Sequence, residues 1–419
     1  MFSLSFVLLG LVAAAHTRGF PSSCPRLPQK LLNATLGVCP NDFTIIGPQL
    51  QAVHESQQAP TGLAVDNDLN IYIAYPRNSG ATPNNVVIAT NFSSEEPWPS
   101  AAIQNCTTGQ NISTCFINVQ NPVLDSQGHI WVVDSGIPPG ARTALPGGAK
   151  IMSFDPATRA LLSTHLIPFS LFYDNLNLND LRINNTLGTK GYAFLTDASQ
   201  GGSILSLDLD TGATLRRLHN TTVVMPDPGF VGSYNGEPIY SWNDTKKSFT
   251  NLGSDGIALA SGNVYWGVLA SRRFYYISQE ALINPSLSDE QVLAAVQDPG
   301  DCGTEQAGFT ADDKGRVYIL ASEQNAIYYV DTLQQEVTEE VNGVAPGGEG
   351  QVEAENYVVK TLVRNALIQH ADSAAILDGW LYFCTNQLEL SPRFQYRNVD
   401  ARRGPFRTYR VWIGRGPAV

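Results

Sequence analysis

One pattern recurs six times along this chain and constrains its fold more than any other feature. Each copy has a polar or glycine residue, a short apolar run, a tight turn, and a second strand rich in aromatic and β-branched residues. The copies are Thr61–Asp66 with Ile71–Tyr75, Asn121–Asp125 with Ile130–Asp134, Asn179–Ile183 with Gly191–Thr196, Ser254–Leu259 with Val264–Trp266, Glu305–Phe309 with Val317–Leu320, and Asp372–Ile376 with Trp380–Phe383. A spacing of about 50 to 75 residues is too wide for a compact solenoid and suits blades of four antiparallel strands with variable loops.

Third strands follow most copies, as in Ile151–Asp155, Ser203–Asp208, Arg273–Ile277 and Ala326–Asp331. A lone blade would expose its faces and edges, whereas radial packing buries the faces and leaves short outer edges. The expected fold is therefore all-β, a six-bladed β-propeller, against a pair of β-sandwiches or a β-helix. Closing such a ring usually pairs strands from the two ends of the chain, and the alternating segment Phe406–Ile413 is suited to this. A short helix is expected at Ser278–Ile283, continuing through Asp289–Val296. The acidic, glycine-rich stretch Gln334–Glu355 reads as an inserted surface loop.

The apolar run Phe6–Ala15, followed by small residues, has the length of a signal peptide and is too short to span a bilayer. The expected organisation is a signal peptide over residues 1–19, a disulfide-tethered segment over 20–50 and the propeller over 51–419. Sequons at Asn33, Asn91, Asn105, Asn111, Asn184, Asn220 and Asn243 are candidate glycosylation sites and agree with a secreted, extracellular protein. Six cysteines fit an oxidising compartment. Cys106 and Cys115 flank a short loop, Cys24 and Cys39 could close the N-terminal segment, and Cys302 with Cys384 would be the long-range pair. The formal net charge of −12 opposes binding to nucleic acid or to anionic membrane surfaces. The expected partner is a small-molecule ligand or substrate, with no nucleic acid and no membrane insertion.

Several segments carry a family likeness. Asn179-Asp-Leu-Arg182 resembles the Asn-Asp-Leu-Arg segment of the major royal jelly/Yellow family, and Leu269–Tyr275 is similar to its Leu-x-Ser-Arg-Arg-Leu-Tyr segment. Ser254–Gly256, Glu323–Ile327 and Thr385–Leu388 follow in the family's order, so the resemblance runs from about Gln51 to Trp412. Glu305-Gln306 departs from the Ser-Asp expected there. The resemblance implies a six-bladed propeller, secretion and N-glycosylation. It does not imply one activity, because members are amine-binding salivary proteins, nutritive proteins and pigment-pathway proteins, including catalysts of dopachrome conversion.

In a propeller the first strand of each blade lines the central channel, so the residues that open these strands form a ring at one mouth. Here they are Thr61, Asn121, Asn179 or Asp180, Asp255, Glu305 and Asp372, with Asn386 and Gln387 following the last inner hairpin. Asp180, Asp255, Asp372 and the nearby His370 are the candidate catalytic groups; Thr61, Asn121, Asn179, Glu305, Asn386 and Gln387 are candidate ligand contacts. Such a set fits acid–base catalysis, the ammonium group of a ligand, or Ca²⁺, which takes oxygen ligands. Asp and Asn in these positions also satisfy turn backbones. Tyr75, Trp131, Trp266 and Phe383 are candidates for stacking on a ligand or for packing between blades. Arg272 or Arg273 is expected to pair with Asp134 or Asp197.

No Gly-x-Ser-x-Gly, His-Glu-x-x-His or Gly-x-Gly-x-x-Gly motif is present, and no nucleophile–base pair stands out. The first expectation is a propeller that binds a small aromatic or polycyclic metabolite in its channel and isomerises or cyclises it without a cofactor. The alternatives are a non-catalytic binder of amines or aromatics and a Ca²⁺-dependent, lactonase-like hydrolase.

Overall fold

In the computed structural model, residues 46–78, 82–106, 110–333 and 350–418 are described. The expected signal peptide, Asn33, Cys24, Cys39 and most of the acidic loop lie outside them. Among the described residues six four-stranded antiparallel sheets form a six-bladed β-propeller. The innermost strands, in order, are Gly62–Val65, Val119–Leu124, Leu178–Asn184, Ser254–Ala260, Gln306–Ala311 and Ala371–Leu377. Each packs against the next, and the sixth packs against the first.

The ring closes by pairing across the ends of the chain. In blade 6 the order from the axis is Ala371–Leu377, Trp380–Thr385, Phe406–Trp412 and then the N-terminal strand Gln51–Ser56. Strand Phe406–Trp412 is the expected closing element, and the pairing of Ser56 with Phe406 and of Gln51 with Arg410 sets its register. The helical expectation resolves into two short helices, Gln279–Ile283 and Asp289–Ala295, on a capped turn within blade 4.

The core is divided as the architecture demands. Six apolar clusters form, one at each interface between neighbouring blades. That between blades 2 and 3, for example, joins Trp131, Val133 and Ile151 to Leu181, Leu195 and Leu205. Phe383 packs between blades 5 and 6, Trp266 between blades 3 and 4, and Tyr75 between blades 6 and 1. All four candidate stacking aromatics are thus core residues.

A local device sets the first hairpin of three blades. The carboxylates of Asp66, Asp125 and Asp312 end the inner strand. One oxygen accepts two backbone N–H groups of the turn, and the other accepts the ring donor of Tyr72, Trp131 or Tyr318 on the returning strand. A carboxylate satisfies the turn backbone and an otherwise orphaned aromatic donor at once. This explains why the repeat ends on Asp and resumes with an aromatic.

Two expectations about partners are corrected. Cys106 and Cys115 are bonded, but Cys302 and Cys384 are free and buried. Cys302 sits in the apolar cluster between blades 4 and 5 and Cys384 in that between blades 6 and 1, so they belong to different interfaces. Arg272 pairs with Glu323 and Arg273 with Asp298, whereas Asp134 pairs with Lys150 and Asp197 with Arg216. Blades 2 and 3 each supply their own cation, so neither aspartate needs one from blade 4.

The sequons differ in exposure, and among those described Asn184 is the enclosed one. Its side chain is buried and its Nδ2 donates to Gln279 Oε1 at 2.7 Å. Asn91, Asn111, Asn220 and Asn243 are exposed, and Asn105 is partly so.

Candidate functional site

The inner strands all run in the same direction along the axis, so their first residues gather at one mouth. The lack of a side chain at two glycines lets them approach closely. A Cβ on Gly256 would stand 2.6 Å from Gly308 Cα, and one on Gly308 would stand 2.1 Å from the Asp372 carbonyl. Blades 4, 5 and 6 therefore meet backbone to backbone just below Asp255 and Asp372.

At that mouth Thr61, Asn121, Asn179, Asp180, Asp255 and Asp372, with Gln120, Ala307 and Ser373, enclose a cavity of about 10 Å³. Of the opening residues, Thr61, Asn121, Asn179, Asp180, Asp255 and Asp372 line this space and Glu305 does not, and it has room for about one water molecule. The ring members are bonded to one another. Asn121 donates to Asp180 Oδ1 at 2.5 Å and accepts from Ser373 at 3.1 Å. Asn179 donates to Asp255, and Asn386 donates to Asp372. Thr61 donates to the Gln120 carbonyl. Gln387 turns away from the mouth: its carboxamide donates to the carbonyl and accepts from the N–H of Arg403, both at 2.9 Å.

Below the ring, Arg182 crosses the channel. Its guanidinium bonds Asp180 Oδ1 at 2.8 Å and the Leu181 carbonyl on its own blade, and reaches the Phe309 carbonyl of blade 5 at 2.5 Å. The sequence pointed to this arginine only as part of a family segment.

Beside the ring lies a buried acid–base cluster. His370 Nδ1 donates to Glu389 Oε1 at 2.8 Å, and its Nε2 stands 3.7 Å from Asp372 Oδ2. His370 has φ +56°, a left-handed conformation uncommon for a residue with a Cβ. Glu305 is buried, and its N–H donates to Glu323 Oε2 at 2.6 Å. Four buried polar atoms in this region have no hydrogen-bond partner: His370 Nε2, Asn386 Oδ1, Glu389 Oε2 and the Tyr234 hydroxyl. Leaving such atoms unpaired is costly, so water or a polar group of a ligand is expected to complete them.

Protonation is shifted accordingly. Burial raises Glu305 to about 8, with the charge of Glu389 adding to it. Burial raises Asp372 to about 6, against the opposing pull of His370 and Asn386. Asp255 is pushed well above the usual carboxylate range by burial and by the neighbouring charges of Asp372 and Asp180. For His370 burial acts downward, but Glu389, Asp372 and Glu305 overcome it and carry the imidazole up to about 9. Near neutrality the cluster holds an imidazolium beside a carboxylate (Asp372) and a carboxylic acid (Glu305), with Asp255 pushed toward its protonated form.

Glu389, Tyr234 and Glu323 were missed as site residues. Glu389 follows the Thr385–Leu388 segment by one position, and nothing but that proximity hinted at its role. Tyr234 belongs to a hairpin, Gly232–Tyr234 with Glu237–Ile239, inserted between blades 3 and 4. Tyr234 and Ile239 pack on Phe394, with Leu388 and Leu390 alongside, and a Cβ on Gly232 would collide with Glu305 Oε2. The insertion therefore covers the Glu305–Glu389 side of the mouth, and Arg272 lies over the Phe230 ring at its base.

The sequence profile described as major royal jelly protein matches residues 117–389, which contain five of the six inner strands and most of the acid–base cluster. The chain belongs to the major royal jelly protein family. Members of the family are secreted, and the Cys106–Cys115 disulfide agrees with that environment. A comparison with curated protein sequences finds no match. Solved structures share the fold. A candidate gluconolactonase is 10% identical, with 91% of this chain and 98% of that chain covered and a TM-score of 0.50. A luciferin-regenerating enzyme is 12% identical, with 88% and 97% covered and a TM-score of 0.49. A gluconolactonase of Xanthomonas campestris is 12% identical, with 93% and 95% covered and a TM-score of 0.46.

The ring does not fit Ca²⁺ as it stands. Among the described residues no three Asp, Glu, His or Cys side chains are grouped as metal ligands. Asp180 is spent on Asn121 and Arg182, and Asp255 on Asn179.

Proposed function

We propose that this royal jelly family protein is a secreted acid–base isomerase of a small organic metabolite, working at the acidic mouth of the propeller. The observation that carries the reading is the buried His370–Asp372–Glu389 cluster, with unpartnered polar atoms on His370, Asn386, Glu389 and Tyr234. A tautomerisation or ring closure removes a proton from one atom of the substrate and returns one to another, with no net change in its atoms. Asp372, ionised near neutrality, serves as the base. The His370 imidazolium serves as the acid, and the protonated Glu305 offers a hydrogen bond to a developing oxyanion. Working pKa values between about 6 and 9 match such roles near neutral pH.

The aromatic preference rests on the insertion, whose Phe230 and Tyr234 rings lie on the Glu305–Glu389 side of the mouth. A substrate needs more room than the ring cavity offers, so the Gly232–Ile239 hairpin must yield on binding. Turnover of quinone and quinone-methide compounds by the purified protein tests the reading. Conversion abolished by Asp372→Asn, in a variant that keeps its fold, supports it. Saturable binding without conversion replaces it with sequestration, which the surplus of carboxyl groups at the mouth favours for amines. Activity lost to a chelator and restored by Ca²⁺ replaces it with the lactonase-like alternative.

A further inference from the structure

The ligand-sized space in the channel is at the opposite end from the acidic ring. The inner strands carry their chains about 13 Å along the axis in four residues, and at their far ends they surround a cavity of about 390 Å³. That volume falls in the range of small-molecule sites, roughly 300 to 1,000 Å³. Apolar side chains of four blades supply its walls: Leu63 and Val65, Val123, Leu259, and Ala374 with Ile376. Arg182, spanning from Asp180 to the Phe309 carbonyl, separates it from the acidic ring.

The two charged groups on its boundary, Arg182 and Asp125, are already satisfied. The Arg182 guanidinium is compensated by Asp180 and two carbonyls. The Asp125 carboxylate accepts from two turn N–H groups and from Trp131 Nε1. Among the described residues no uncompensated charge faces the space, so a charged ligand would lose its hydration without a partner there. The chain's own C-terminal segment forms one side. Asp313 N–H donates to the Gly416 carbonyl at 3.0 Å, Ala418 N–H donates to the Ala311 carbonyl at 3.1 Å, and Arg415 bonds Asp312 at 3.1 Å. These contacts hold Pro417 and Ala418 against the cavity as a strap.

We propose that this cavity is a second ligand site, separate from the acid–base mouth, that takes one neutral lipophilic small molecule and is walled on one side by the strap. Titration of the full chain with the neutral fluorophore N-phenyl-1-naphthylamine tests it. The expected result is a saturable rise in emission at one probe per chain. Ala374→Phe, which fills the cavity, and Ser126→Trp, which obstructs its exposed rim without touching the core, should each weaken binding by about tenfold or more. Asp372→Asn, at the other mouth, should leave it unchanged. The absence of saturable binding overturns the site, as does binding indifferent to both cavity variants or lost on Asp372→Asn.

Discussion

His370 Nδ1 donates to Glu389 Oε1 at 2.8 Å in a pocket where both side chains are almost completely buried. The pair leaves His370 Nε2 and Glu389 Oε2 without partners of their own. Glu389 thus fixes the ring orientation that presents Nε2–H toward Asp372, and its charge sustains the imidazolium.

That dependence is measurable. In Glu389→Gln the upward pull of the carboxylate disappears while burial, which acts downward on His370, remains. The His370 pKa is expected to drop from about 9 by at least ~1 unit, which corresponds to about 1.4 kcal/mol between its two forms. Proton NMR of the imidazole across the titration reads this directly. An unchanged midpoint would show that Glu389 is a packing partner only.

Glu305 gives the fold a pH dependence. Its carboxyl titrates near 8 when folded, against about 4.3 in an unfolded chain. The folded state therefore holds the extra proton between these values, and the contribution of Glu305 to stability is complete below about 4.5 and lost as pH rises through 8. His370, raised to about 9, acts in the same direction from about 6.5 upward. Glu305→Gln cannot ionise, so its urea midpoint should match the parent near pH 4 and exceed it near pH 9. Parallel curves for the two proteins would refute the assignment.

Lys150 and Asp134 form an ion pair with no solvent exposure on either side chain. Asp134 also accepts the backbone N–H groups of Ile117, Asn118 and Gly136, so it anchors the loop entering blade 2. Lys150→Met leaves that carboxylate buried without its cation and should cost about 3–5 kcal/mol. Adding Asp134→Asn removes the stranded charge and should recover part of the loss. Equilibrium denaturation of the two variants decides the matter, and a loss under ~1 kcal/mol in Lys150→Met would contradict the account.

The propeller was legible because its cause is periodic. Each copy pairs an inner strand with an aromatic-bearing return, and in three blades the Asp66, Asp125 and Asp312 turns leave the same local signature. The ring of Thr61, Asn121, Asp180, Asp255 and Asp372 followed from that registration alone. What stayed hidden depends on contacts between distant segments. Among the described residues the Tyr234 hairpin has no counterpart in the other blades, so repetition could not place it over Glu305. Gln387 adjoins Asn386 in sequence, yet its left-handed backbone, φ +54°, directs the two side chains to different partners. The size of the ring cavity is set by side-chain bonding across the axis, which the strand pattern does not encode.

The same limit explains the cysteines, and it yields a chemical test. An even count favours pairing, but a disulfide needs Cα atoms within about 7 Å, and Cys302 and Cys384 sit in apolar seams between different pairs of blades. Burial pushes the Cys302 thiol up to about 12, and Cys384 is raised for the same reason. Both are therefore protonated and shielded, and attack on a disulfide reagent requires the thiolate. With Ellman's reagent at pH 8 the native protein should release no colour from these two positions over hours, and full reaction should follow in guanidinium chloride. Single Cys302→Ala and Cys384→Ala variants should each lower the denatured yield by one equivalent. Failure of either to do so would restore the disulfide that the blade geometry rules out.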